Sequence, residues 1–164
     1  MAVLQPGIRN SLGLVVKINL GVIDVPYQQF SMGPTKTGKV ERATTGDVAE
    51  WLEDKYEVMG RFVELHADDI AKSIENSLAG ALSSLMQGAP ATLNPFGTAM
   101  SDIETLFKFT YLDKEEIVQT GVDGVPTEAA KKGVNHRLKL KRGAKRPSFI
   151  DTGQYQTTMK AWTE

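Results

Sequence analysis

From Asp47 to Gln87 the chain carries no proline, and apolar side chains recur at Val48, Trp51, Leu52, Met59, Phe62, Val63, Ile70, Ile74, Leu78, Leu82 and Leu85. Steps of three and four place them along one side of a helix. Thr44, with Asp47 three positions on, has the form of a capping box at its start. Gly60 and Gly80 each weaken a continuous helix, so residues 45–87 read as one long helix or as two helices meeting near His66–Asp69. His66 falls at the edge of the apolar face, with no role of its own.

The flanking segments differ in kind. Residues 12–30 are rich in Val, Ile and Leu and punctuated by Gly and Pro, which predicts one or two strands or an extended arm. The apolar residues of this arm or edge strand are Leu14, Val15, Ile18, Leu20, Val22 and Ile23. They alternate only in part and are expected to lie away from the helical core, where a neighbouring protein could pair with them. The competing reading is that the segment closes the protein's own sheet. Residues 31–46 are polar and turn-rich and read as a loop, while "QGAPATLNPFG" ends the helical region. In "SDIETLFKFTYLDKEEI" Ser101 and Glu104 have capping-box spacing, yet Phe107, Phe109 and Tyr111 alternate as in a strand. That stretch is a short helix or a strand. Pro126 and Thr127 introduce a short helix over Glu128–Lys132, closed by Gly133. The C-terminal stretch reads as a turn, a helical turn and a final strand. Extended segment, long helix and mixed short elements together predict one α+β domain over 1–164, the helix packed on a small mixed or antiparallel sheet.

At 164 residues and 41% apolar content, the chain is long enough for one modest core. Its net charge of −1 is uninformative, but the charges are segregated. Residues 131–148 form a basic loop whose cations are Lys131, Lys132, Arg137, Lys139, Lys141, Arg142, Lys145 and Arg146, with no acid between Lys131 and Arg146. Acids dominate from Asp47 to Glu75. Separate surfaces of opposite sign suit association with copies of the chain or with other polarised partners, and equally describe two solvated faces. The chain has no cysteine, which excludes disulfides and thiolate metal sites. His66 and His136 are far apart and make a poor metal pair. Asp68 and Asp69 are adjacent and diverge on a helix, so they read as a solvated patch or cap. The first residues carry neither a basic leader nor an uninterrupted apolar span, so no membrane segment is expected.

"FIDTG" at 149–153 is how retroviral-type aspartic proteases present a catalytic carboxylate. Such enzymes pair two aspartates across a dimer, each on a loop early in an all-β subunit. Here Asp151 follows a long helix, only 13 residues of the sequence come after it, and Gln154 replaces the small residue expected after the glycine. Asp151, Thr152 and Gly153, after Pro147, instead read as a structural turn in which Asp151 caps a turn over Thr152–Gln156. No phosphate loop, nucleophile elbow or His-Glu-x-x-His is present.

The stretch "GVPTEAAKKGVNHRLK…KRPSFIDTGQYQTTMKAW", from Gly124 onward, resembles the C-terminal part of head-completion, neck and tail-completion proteins of long-tailed bacteriophages and prophages. There an Asp-Thr-Gly turn follows a basic, proline-containing loop and precedes a short amphipathic segment that usually carries a Ser, where this chain has Thr157 and Thr158. The resemblance covers about a quarter of the chain. It implies a ring of six subunits in the conduit between portal and tail, a virion location after assembly in a bacterial cytoplasm, and neither catalysis nor a cofactor. Which ring it is (stopper, tail completion or tail terminator) stays open. A ring subunit binds its neighbour heterologously, and segregated charge suits that contact. The basic loop could dock an acidic neighbour or touch passing DNA without sequence preference. Docking is favoured, because a lumen that bound DNA tightly would stall its passage. The alternative is a small non-specific nucleic-acid-binding protein using the same loop.

Overall fold

A computed structural model describes residues 7–9, 15–34, 40–134 and 142–164. It is an α+β fold, as the sequence pattern predicts. Thr44 and Asp47 form the expected capping box: the Asp47 amide donates to Thr44 Oγ1 at 3.2 Å and the Thr44 amide to Asp47 Oδ2 at 2.7 Å. This starts α1 (Thr45–Tyr56), followed by α2 (Val58–Leu65) and α3 (Ala67–Met86). The long helical region is thus broken twice, and neither break is at a glycine. Glu57 adopts a left-handed conformation, φ 51° and ψ 44°, between α1 and α2. The Glu53 carboxylate accepts the amides of Met59 at 2.7 Å and Gly60 at 3.0 Å, so a side chain from α1 satisfies the free donors that open α2. The second break is His66 itself, and Gly80 lies inside an uninterrupted α3.

Phe62 of α2 centres the core. It meets Phe107 edge-on at 5.0 Å and Tyr111 at 5.3 Å, and its full burial stabilises the fold by about 2–3 kcal/mol. Phe107 and Tyr111 lie on a π-helical segment, Leu106–Leu112, that continues α4 (Gly97–Thr105). The alternation that resembled a strand is resolved as helix: Phe107 and Tyr111, four apart, face inward, while Phe109 between them is exposed. The Ser101/Glu104 pair does not open a helix, because α4 has already begun at Gly97. A 3-10 turn, Glu116–Thr120, follows, with Ile117 buried.

The strands form two antiparallel sets. β1 (Gly7–Arg9), β2 (Val15–Val22) and β5 (Met159–Thr163) make one sheet with β2 in the middle. Leu20 lies opposite Ala161 and Gly21 opposite Lys160. Ile18 and Leu20 are buried in the same cluster as Phe62, and Val22 packs against it. The expectation that this segment lies away from the helical core is therefore corrected: the centre of β2 belongs to the protein's own sheet. Ile23 is exposed, and Leu14 lies outside the described residues.

The polar stretch at 31–46 is not a plain loop. β3 (Pro26–Pro34) and β4 (Val40–Thr44) pair as an irregular hairpin leading straight into α1. Buried Thr45 fixes its root: Oγ1 donates to the Ile23 carbonyl at 2.7 Å and accepts from the Val25 amide at 2.9 Å. Among the described residues, no helix is long and apolar enough to cross a membrane.

Candidate interaction surface

α5 (Glu128–Lys131) begins as the sequence predicts, with Thr127 Oγ1 accepting from the Ala130 amide at 3.3 Å. Gly133, at φ 61°, turns the chain out of the helix. A Cβ at Gly133 would collide with the backbone of Gly143 and Ala144, so only glycine allows the two ends of the basic loop to approach this closely. The Gly143 amide donates to the Lys132 carbonyl at 3.2 Å, and the Arg146 amide to the Ala130 carbonyl at 3.3 Å. These contacts close the base of the loop.

The Arg146 guanidinium locks that base. Its terminal nitrogens donate to the carbonyls of Ile150 at 2.8 Å, Val134 at 3.2 Å and Pro147 at 3.4 Å, and pair with the Asp151 carboxylate at 3.4 Å. Ser148 adds a second fastening. Its amide donates to Glu115 at 2.9 Å, its hydroxyl donates to the same carboxylate, and its oxygen accepts from the Thr127 amide at 2.9 Å. Phe149 rests against Tyr56 at 5.2 Å, and Phe149 and Ile150 both pack on the core.

This geometry sorts the basic residues by what they touch. Arg146 belongs to the scaffold. Lys131 and Lys132 pair with Glu128 at 3.1 and 3.3 Å, and their hydrogen bonds hold that carboxyl below its ordinary range. Arg142 and Lys145 project from the loop base, exposed, with no partner among the described residues. Arg137, Lys139 and Lys141 lie outside the described residues. Asp151 is not the cap of the helix that follows. Gly153, at φ 76°, occupies that position before α6 (Gln154–Thr158), and Thr152 Oγ1 accepts from the Gln154 amide at 3.4 Å. Asp151 sits two residues earlier and pairs with Arg146 at 3.4 Å.

His66 is more than an edge residue. It is buried at the α2–α3 junction, with Nδ1 3.1 Å from Asp69 Oδ2 and Nε2 2.9 Å from Glu116 Oε2. It ties that junction to the 3-10 turn. Sequence reading missed this because Glu116 is 50 positions away. Asp69 turns toward His66 and away from any shared site with Asp68, and among the described residues no group of carboxylates and histidines could hold a metal ion.

A cleft of about 380 Å³ opens at the hairpin root, lined by Gly21, Asp24, Thr44, Asp47, Glu50, Met59 and Trp162. A Cβ on Gly21 would come within 2.9 Å of the Trp162 ring, so the glycine lets the indole lie flat across β2. Asp24 accepts the Gly46 amide at 2.9 Å; hydrogen bonds from Thr44 and then Gly46 hold its carboxyl below the usual range. The cleft joins residues from β2, α1 and β5, a juxtaposition no local pattern announces. With Asp24 and Asp47 engaged in backbone hydrogen bonds, it offers negative charge and an aromatic wall, features that suit docking of a basic segment. No protein-family model, curated protein or solved structure matches this chain.

Proposed function

We propose that this chain is a non-enzymatic structural protein of the phage head–tail junction, a neck, tail-completion or tail-terminator ring subunit that docks tail to head around the DNA conduit. The observation that carries the reading is how the 124–164 stretch, where the resemblance lies, is built. Gly133, Gly143, Arg146 and Asp151 form a fixed base that presents Arg142 and Lys145 outward. Asp151 is used in that base, which supports a structural part for the Asp-Thr-Gly turn. The acidic side of α1 and the hairpin-root cleft lie elsewhere on the subunit and could receive such a loop from the next copy, as heterologous ring contacts require.

The test reverses Arg142→Glu and Lys145→Glu together in the phage that encodes the chain. Both side chains are exposed, so the isolated subunit keeps its fold. Electron microscopy then shows full heads and finished tails that fail to join. Normal joining would sink the docking role. A second reading, non-specific binding of nucleic acid, draws on the same two exposed cations. It predicts that the purified protein shifts duplex DNA at moderate salt and loses this with the double reversal.

A further inference from the structure

The buried stripe of the long helical region does not end where the body of the protein ends. Ile70 and Ile74 of α3 are buried, but the same face continues through Leu78, Leu82 and Leu85, which are 42, 58 and 50% exposed, to Met86 at 80%. The return segment after α3 covers a different side. Ser77 Oγ donates to the Pro95 carbonyl at 2.8 Å and accepts from the Ala99 amide at 3.4 Å, which pins that segment along the serine and alanine side of the helix. Leu93, in the return segment, is fully exposed as well. From Asn76 to Ser101 the chain carries no charged residue.

We infer that the outer half of α3 is an isologous interface, covered by the same face of a second copy of this chain. Three observations select that occupant. The seam reads alike in both directions: Leu82 is flanked by small residues on each side, with Leu78 four positions before it and Leu85–Met86 three and four after. Two such helices laid antiparallel about a twofold axis at Leu82 bring Leu78 of each against Leu85 and Met86 of the other, with small neighbours that permit close approach. The absence of charge means that identical surfaces meet without repulsion, and it leaves nothing for a charge-steered partner to recognise. The exposed parts of Leu78, Leu82, Leu85 and Met86 amount to on the order of 400 Å², within the ~300–600 Å² of the largest patch a monomer ordinarily leaves open and about half of the ~800 Å² each partner gives to a stable interface. A lipid surface fits less well, because residues 76–101 include no Lys or Arg to meet headgroups.

The inference does not depend on the virion role, since the purified chain alone tests it. Sedimentation of the full chain from about 1 to 100 µM should show a concentration-dependent dimer. Leu82→Glu with Leu85→Glu should weaken it at least about 100-fold while leaving the circular dichroism spectrum unchanged, as both positions are already solvent-exposed. The chain has no cysteine, so Leu82→Cys provides a second readout: oxidation should link two copies at the twofold position. A wild-type chain that stays monomeric over this range overturns the inference. So does an assembly untouched by the two glutamates, a Leu82→Cys variant that does not cross-link, or binding of the finger to phosphatidylserine vesicles in place of self-association.

Discussion

Arg146 makes three carbonyl contacts and one ion pair through a single guanidinium, and its side chain is about a quarter exposed. A planar fork with several donors can serve three backbone carbonyls at once, and a lysine ammonium cannot reproduce that geometry. Removing it strands the carbonyls of Val134 and Ile150 at the foot of the basic loop. Arg146→Met should therefore destabilise the protein by about 2 kcal/mol, and Arg146→Lys should recover little of it. Asp151→Asn keeps a hydrogen-bond acceptor beside Arg146 and should cost about 1 kcal/mol or less. Urea midpoints of the three variants give the ranking. A larger loss in Asp151→Asn than in Arg146→Met would contradict the clamp, and a peptidase activity abolished by Asp151→Asn would overturn the structural assignment altogether. The sequence made Asp151 conspicuous and left Arg146 as one cation among eight. Nothing local distinguishes a basic residue that folds back on its own carbonyls from one that reaches into solvent.

At the scale of elements, Glu104 joins α4 to β5. Its carboxylate accepts from Lys108 at 3.2 Å, from Lys160 at 3.1 Å and from the Ala161 amide at 3.2 Å, so it meets a strand amide that would otherwise await another strand. Burial works against its charge, but the hydrogen bonds from Lys160, Ala161 and Lys108 outweigh it and hold the carboxyl below its ordinary value of 4.5. Because the folded value is depressed, this stabilisation is present in full above 4.5 and is lost as pH falls through the folded value. At neutral pH Glu104→Gln should cost about 1 kcal/mol, or about 3 °C in Tm, once solvent screening at the exposed Lys160 end is allowed for. That deficit should shrink as the pH is lowered below 4.5, which thermal melts of both proteins across the acid range would show. A deficit constant with pH would mean that the charge of Glu104 does not matter. The sequence suggested Glu104 as half of a capping box; spacing alone cannot say whether a helix has already begun, and Lys160 is 56 positions away. Where partners are three positions apart, reading succeeded, as with Thr44 and Asp47, and the helix start at Thr127 was equally local. Periodicity also found the apolar face of the long helical region. It could not say that the face outlasts its cover at Leu78, because cover depends on where other elements stop.

For the whole molecule, the surfaces that remain for partners lie apart: two exposed cations on a braced loop base, a cleft with acids at the hairpin root, an uncharged helical finger, and β1 along part of β2. β1 spans only Gly7–Arg9, paired with Lys17, Val16 and Val15, whereas the core residues Ile18 and Leu20 lie beyond that register, in the part of β2 that β5 covers. Of residues 12–30, read from the sequence as strands or an arm, Val15–Val22 is the middle strand of the protein's own sheet, and β1 on its edge is the strand proposed for exchange with a neighbour. Deleting residues 1–11 removes β1 and leaves the β2–β5 pairing whole. The truncated protein should melt within about 2 °C of the full chain, since the cluster formed by the described residues takes nothing from 1–11. It should also expose donors and acceptors of Val15, Val16 and Lys17 that β1 satisfied, an edge open to the wrong strand. On the proposed junction role, joining of heads to tails should fall well below that of the full chain even though the subunit is folded. Truncated protein that melts far lower would show β1 to be part of the fold's own support, and normal particles built from it would show that the strand makes no contact that assembly needs.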